Sequence, residues 1–151
     1  MPPPSPPIPV RVLHPHAEPP AGLPIVELPM SAIDRRRVRR LIEAPDGVIF
    51  ALELPTGTIL HPGQLLHHDA EVAYVVSAAD EDVLIAHPRD LAEAARVGHL
   101  IGNMHRDIFA TGNDVIALAD DVLAERLARA GVSCERARRP FHGRAPGEHS
   151  H

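Results

Sequence analysis

The order of segments in the second half of the chain is the tightest constraint on its fold. Between Glu81 and Phe141, "EDVLIAH", "HRDIFA", "DVIALA" and "VSCERARRPF" carry the short apolar runs of strands, whereas "PRDLAEAARVGHLIGN" and "DDVLAERLARAG" are amphipathic helices. Both helices are punctuated. Pro88 suits a first-turn position, Gly102 and Asn103 suit left-handed conformations at a C-terminus, Asp120 or Asp121 suits an N-cap, and Gly131 suits a helix end. Read in sequence the elements are β-α-β-β-α-β. That order predicts an antiparallel sheet covered on one face by two helices, the ferredoxin-like arrangement.

The first half obeys a different rule. Eleven of the seventeen prolines precede Ser31, and because proline fixes φ and lacks an N–H donor, this stretch can form neither a helix nor a central strand. Residues 1–29 are therefore expected to be a proline-rich, flexible arm, with His14 and His16 as solvated side chains within it. From Ser31 the pattern turns to β structure. "RRRVRRLIEA" and "VIFALELP" flank the reversal "PDG", "PTGTILHPGQLL" adds a turn and a short strand, and "EVAYVVSA" closes the set. Residues 30–78 read as a small all-β domain, 79–141 as the ferredoxin-like domain and 142–151 as a short flexible tail containing histidines. The fold class is α+β.

Charge and composition remove several function classes. Five arginines at 35, 36, 37, 39 and 40 suggest nucleic acid, yet the formal net charge is −5 and the chain has no Trp, one Tyr and three Phe, too few for base stacking. They are expected to line a solvated strand instead. No stretch approaches the roughly 20 apolar residues of a spanning helix, and the N-terminus lacks the cationic and apolar regions of a signal peptide. The reading is a cytoplasmic protein that engages neither nucleic acid nor membrane. A single cysteine, Cys134, excludes an internal disulfide and a four-cysteine zinc site.

Eleven histidines are the compositional oddity. "GHLIGNMH" places His99 in the last turn of a helix, where a capping or packing role suffices, and His105 just beyond the helix stop. "HHDAE" sets His67 and Asp69 on one face of a strand with His68 on the other, which is half a metal site without a third ligand at recognised spacing. The terminal "FHGRAPGEHSH" adds His142, His149 and His151 in a Pro/Gly-containing segment of the type that binds metal by composition. Taken alone, each of these histidines is satisfied by a surface or packing role.

Together the blocks "ELPTGTILHPGQLL", "EDVLIAHPRD", "ARVGHLIGNMH", "DDVLAERLARAG" and "RRPFHG" resemble the UreE family, nickel metallochaperones that assist urease maturation. The resemblance covers roughly residues 31 to 143, and its most specific element is Gly-Asn-x-His beside an upstream His-Leu. It implies an N-terminal β domain for partner contact and a C-terminal ferredoxin-like domain that dimerises and binds Ni(II). The histidine closing Gly-Asn-x-His is then His105, placed at the two-fold axis so that one residue per chain becomes a facing pair of imidazoles. His149 and His151 are the remaining candidate ligands, a remnant of the longer histidine-rich tail of several members. Imidazoles that hold Ni(II) also accept Zn(II) or Cu(II).

Two positions depart from the family pattern: Met104 stands where an arginine is common, and Thr56 where the Leu-Pro-x-Gly turn commonly carries a basic residue. The resemblance implies a homodimeric, non-enzymatic carrier that passes nickel to the urease apoprotein through accessory proteins, chiefly the GTPase UreG. Two rival readings are a ferredoxin-like interaction module without metal, and a metal-dependent hydrolase built on His67, Asp69 and a distant histidine. The hydrolase needs a general base in a sheltered pocket, and no carboxylate is recognisably placed for that.

Overall fold

The computed structural model describes residues 3–14 and 16–146, and the chain divides after Ala78 into two compact units. The first unit is all β apart from one 3-10 turn. Its strands are β1 (Ile8–Val10), β2 (Ile25–Met30), β3 (Arg39–Glu43), β4 (Ile49–Glu53), β5 (Leu65–His68) and β6 (Ala73–Ala78). They form two three-stranded sheets, ordered β1-β4-β3 and β2-β6-β5. Strands β3 and β4 pair antiparallel across the predicted Pro45-Asp46-Gly47 reversal. There Gly47 sits at φ 87° and the Asp46 carboxylate accepts the Val48 N–H at 3.2 Å. One apolar cluster, including Leu28, Met30, Phe50, Leu52, Leu54, Leu60 and Tyr74, fills the unit. Phe50 meets the Tyr74 ring edge-on at 4.8 Å between centroids, and the Tyr74 hydroxyl donates to Asp46 at 2.8 Å.

The proline-rich arm expected over residues 1–29 needs correction. β1 pairs parallel with β4, and β2 pairs parallel with β6. Both strands lie at sheet edges, and both contain a proline, Pro9 and Pro29. An edge strand bonds a neighbour on one side only, so a proline whose missing N–H would face outward costs the ladder nothing. Proline excluded these residues from a central strand but not from an edge.

The arginine run also differs from a solvated strand. Asp34–Arg36 make a 3-10 turn, and Arg35 is buried at 2% exposure with Nη1 donating to the Met30 carbonyl at 2.8 Å. A planar guanidinium with several donors can be buried when it meets backbone carbonyls in this way. Arg39 and Arg40 follow in β3. Burial lowers the pKa of Arg40, opposed by Asp34, whose carboxylate lies 3.6 Å away.

The second unit carries the predicted β-α-β-β-α-β order: β7 (Asp80–Ala86), α1 (Leu91–Asn103), β8 (Phe109–Thr111), β9 (Asp114–Leu118), α2 (Asp121–Arg129) and β10 (Cys134–Pro140). All pairings are antiparallel in the order β10-β7-β9-β8, the ferredoxin-like sheet. Alternation along the strands puts Leu84, Ala86, Val115 and Ala117 in one cluster with Val97 and Ile101 of α1 and Leu123 and Leu127 of α2. Each helix starts on an aspartate. Asp90 accepts the Glu93 N–H at 2.7 Å and Asp120 accepts the Leu123 N–H at 2.9 Å, so the α1 cap is Asp90 and Pro88 precedes it.

Candidate metal site

The end of α1 departs from expectation in an informative way. Gly102 and Asn103 remain helical, and the left-handed residue is His105, at φ 57°. The chain leaves the helix through a six-residue cap. Met104 is the C-cap, the His105 N–H bonds the Gly102 carbonyl at 2.9 Å, and the Arg106 N–H bonds the Ile101 carbonyl at 3.3 Å. These are the two bonds of a Schellman motif, with His105 at the position that usually belongs to glycine. A side chain with a Cβ costs about 1 kcal/mol or more in this conformation, although His, Asn and Asp occur there more often than other residues.

Both neighbours of His105 are fastened. Met104 packs onto the apolar cluster between the helices and the sheet, which gives the departure from arginine a structural role. Arg106 donates through Nη2 to Asp120 at 2.8 Å, and Asp120 also caps α2. The Asp120 carboxyl is held below its ordinary pKa, first by the Leu123 N–H and then by Arg106 after the opposing effect of desolvation. Between these anchors the His105 side chain is exposed. Within the end of α1, Asn103 Nδ2 lies 3.0 Å from His99 Nε2, a spacing at which the amide donates to the ring nitrogen.

The chain stays docked past residue 142, where a flexible tail was expected to begin. Phe141 is fully buried, and the His142 ring stacks on Phe109 with centroids 4.6 Å apart. The Asp107 carboxylate accepts the Arg144 N–H at 2.6 Å. Gly143 is required by space: a Cβ there would lie 2.5 Å from the Phe141 ring and 3.2 Å from Asp107. The segment carrying the last histidines is thus tied down two residues beyond His105 in sequence. His149 and His151 themselves lie outside the described residues.

The other histidine constellation comes apart. β5 ends at His68, and Asp69 lies beyond it, accepting the N–H groups of Glu71 and Val72 at 2.7 and 2.9 Å. Those two backbone bonds lower the Asp69 pKa. His67 lies beside Phe50 with ring centroids 5.6 Å apart. Asp69 closes a turn beyond the strand and His67 packs against Phe50, so the two do not share one face of a strand as expected. Among the described residues no three His, Cys, Asp or Glu side chains converge as a ligand set.

Residues 10–79 match the family described as UreE urease accessory protein, N-terminal domain, and residues 81–151 match UreE urease accessory protein, C-terminal domain. The chain belongs to the UreE family. The boundary between the two matches falls where the structure divides, at residues 78–81. A urease accessory protein UreE from Deinococcus radiodurans is 49% identical over 126 residues, covering 83% of this chain and 81% of that protein. Another, from Synechococcus sp. (strain JA-3-3Ab), is 48% identical over 132 residues, covering 87% and 89%. A more distant UreE from Burkholderia thailandensis is 36% identical over 124 residues and extends well beyond the match, which covers 58% of its length.

Within the UreE fold, the sequence departure at Thr56 falls on an exposed turn tip. Gly57 there has φ 88°, and Thr58 closes the turn on the Pro55 carbonyl with its N–H at 3.1 Å and its hydroxyl at 2.7 Å. Thr56 leaves this exposed turn tip without a charge. Among the described residues no helix is long and apolar enough to cross a membrane.

Proposed function

We propose that this UreE chain is a cytoplasmic, homodimeric nickel carrier without catalytic chemistry of its own, holding Ni(II) between the His105 side chains of two copies and releasing it for urease assembly. One observation carries the reading: an exposed imidazole occupies the left-handed cap position of α1 where glycine would be less strained. A two-fold axis near such a residue doubles it into a pair, which accounts for a single chain supplying one ligand. Imidazole is a good nickel ligand, and Zn(II) or Cu(II) would compete for it.

His149 and His151 supply further, exchangeable ligands. Counted from the anchored Arg144, they lie five and seven residues away, which extended chain spans with at most about 18 and 25 Å. A ligand on such a tether can leave first and open a coordination position for the acceptor. The UreE family membership supports the urease maturation machinery as that acceptor, and our reading takes the GTPase UreG as the immediate partner and the urease apoprotein as the destination.

Calorimetric titration of the full chain with Ni(II) tests the reading. Wild type should bind its tightest ion at one per two chains, and His105→Ala should lose that ion while remaining folded and dimeric. Truncation after Arg144 should weaken binding and speed release at unchanged stoichiometry. Equal first-site affinity in His105→Ala would overturn the assignment, and no binding by wild type would favour an interaction module without metal.

A further inference from the structure

A histidine flanked by two carboxylates lies at the opposite end of α1 from His105. His87 follows the last residue of β7, and its N–H donates to the Ser133 carbonyl at 2.8 Å. That bond fixes the residue beside the starts of β9 and β10. Its ring reaches two carboxylates. Nδ1 lies 2.8 Å from Asp114 Oδ1, and Nε2 lies 3.6 Å from Glu135 Oε1. The three side chains are 42%, 31% and 61% exposed, so water has access to the space between them.

The two contacts differ in kind. The first is a hydrogen bond in which Nδ1–H donates to Asp114, so that in the neutral ring Nε2 is the basic nitrogen. The second is too long for a hydrogen bond. When the ring is neutral, the Nε2 lone pair and a carboxylate oxygen face each other across 3.6 Å, a gap that either a proton on Nε2 or a small cation would fill. Two ligand atoms bound to one ion at about 2.05 Å with a tetrahedral angle are about 3.4 Å apart, a few tenths of an ångström from the observed separation. A carboxylate that takes the far N–H of a ligating imidazole is the usual way such a ring is oriented and its basicity raised.

We propose that His87 Nε2 and a Glu135 carboxylate oxygen form a second, weaker site for a divalent first-row transition metal on each chain, with Asp114 as positioning residue and water completing the coordination. The ligand pair, one imidazole and one carboxylate, suits Ni(II) or Zn(II). The site is open and has only two protein ligands, so it exchanges metal quickly. Asp114 and Glu135 also raise the pKa of His87, the Asp114 hydrogen bond being the largest cause, so proton and metal compete for the same nitrogen. The 13 residues of α1 separate this site from His105 by about 20 Å of helix. It needs one chain only, so it does not rest on the reading of His105 as a dimer ligand.

Residue-resolved NMR of the full chain tests the proposal in a His105→Ala background. Paramagnetic Ni(II) is added and amide signals are followed, with diamagnetic Zn(II) as a shift control. Broadening should concentrate on the segments around His87, Asp114 and Glu135, and vanish in His87→Gln. Glu135→Gln and Asp114→Asn should each weaken binding about tenfold. The spectra of these variants also report folding directly. Absence of broadening at these segments at millimolar Ni(II), or broadening there that survives His87→Gln, overturns the proposal. A failure of the His105 reading would appear separately, as tight binding retained at the other end of α1.

Discussion

The two helices of the second unit end in the same backbone cap, built from different residues. In α2 the Gly131 N–H bonds the Ala128 carbonyl at 3.0 Å and the Val132 N–H bonds Leu127 at 3.1 Å. In α1 the corresponding bonds run from His105 to Gly102 and from Arg106 to Ile101. The left-handed residue is Gly131 at φ 72° in one and His105 at φ 57° in the other. The residue after it is an apolar side chain buried in the cluster, Val132, in α2, and an arginine paired with Asp120 in α1. The α2 end follows the stability rule of glycine followed by a buried hydrophobe. The α1 end gives up both preferences and presents an imidazole to solvent. A site that breaks a local rule while its surroundings hold it firmly is where function is expected.

Substitutions can break this comparison from either side. The largest effect on stability is expected from Asp120→Ala, because Asp120 caps α2 and anchors Arg106 at the end of α1. Denaturant unfolding should show a loss of about 1–2 kcal/mol, mostly from the cap, since the ion pair is partly exposed. A loss confined to a few tenths would mean that the two helix ends are not tied through this carboxylate. Next, Gly131→His would turn the α2 end into a copy of the α1 end. No atom lies within 4 Å of the Cβ it would add, so the cost is conformational alone, about 1 kcal/mol. The reciprocal change, His105→Gly, should stabilise the folded chain by up to about 1 kcal/mol, offset in part by the greater entropy of glycine when unfolded. Destabilisation by His105→Gly would show that the imidazole supports the fold.

The smallest effect is one of pH. The Asp120 pKa is lowered in the folded state, so its stabilisation is present above the ordinary aspartate pKa of about 3.9 and is lost as pH falls through the folded value. The stability difference between wild type and Asp120→Ala should therefore shrink on acidification below pH 4. A difference that stays constant would remove Asp120 ionisation from the account.

The sequence exposed those features whose causes are local. Asp120 as an N-cap, Gly131 as a helix stop and the Pro45-Asp46-Gly47 reversal act over a few residues, and they sufficed for the ferredoxin-like order and for the β3–β4 hairpin. β1 and β2 escaped because their partners are far away in sequence: Ile8 pairs with Phe50, and Ile25 with Ala73. Proline density describes the chain's intrinsic preference, and parallel pairing at an edge is a tertiary effect that overrides it. Arg35 escaped for a similar reason, since its burial depends on the Met30 carbonyl meeting it. At the candidate site, the motif drew attention to His105, but the left-handed turn was expected at Gly102 or Asn103 because those residue types favour it. Only the hydrogen bonds place it on the histidine. The Arg144 anchor on Asp107 had no signal in sequence, being a contact across 37 positions.

The most direct test compares wild type with His105→Gly, a change that should preserve the α1 cap while removing the imidazole. Native mass spectrometry at limiting Ni(II) counts tightly held ions per assembly, and denaturant unfolding of the same samples reports the fold. We predict one ion per dimer for wild type, and none at the same metal concentration for a His105→Gly dimer that is at least as stable. An ion retained by that variant, or one ion per chain in wild type, would contradict a carrier site centred on His105.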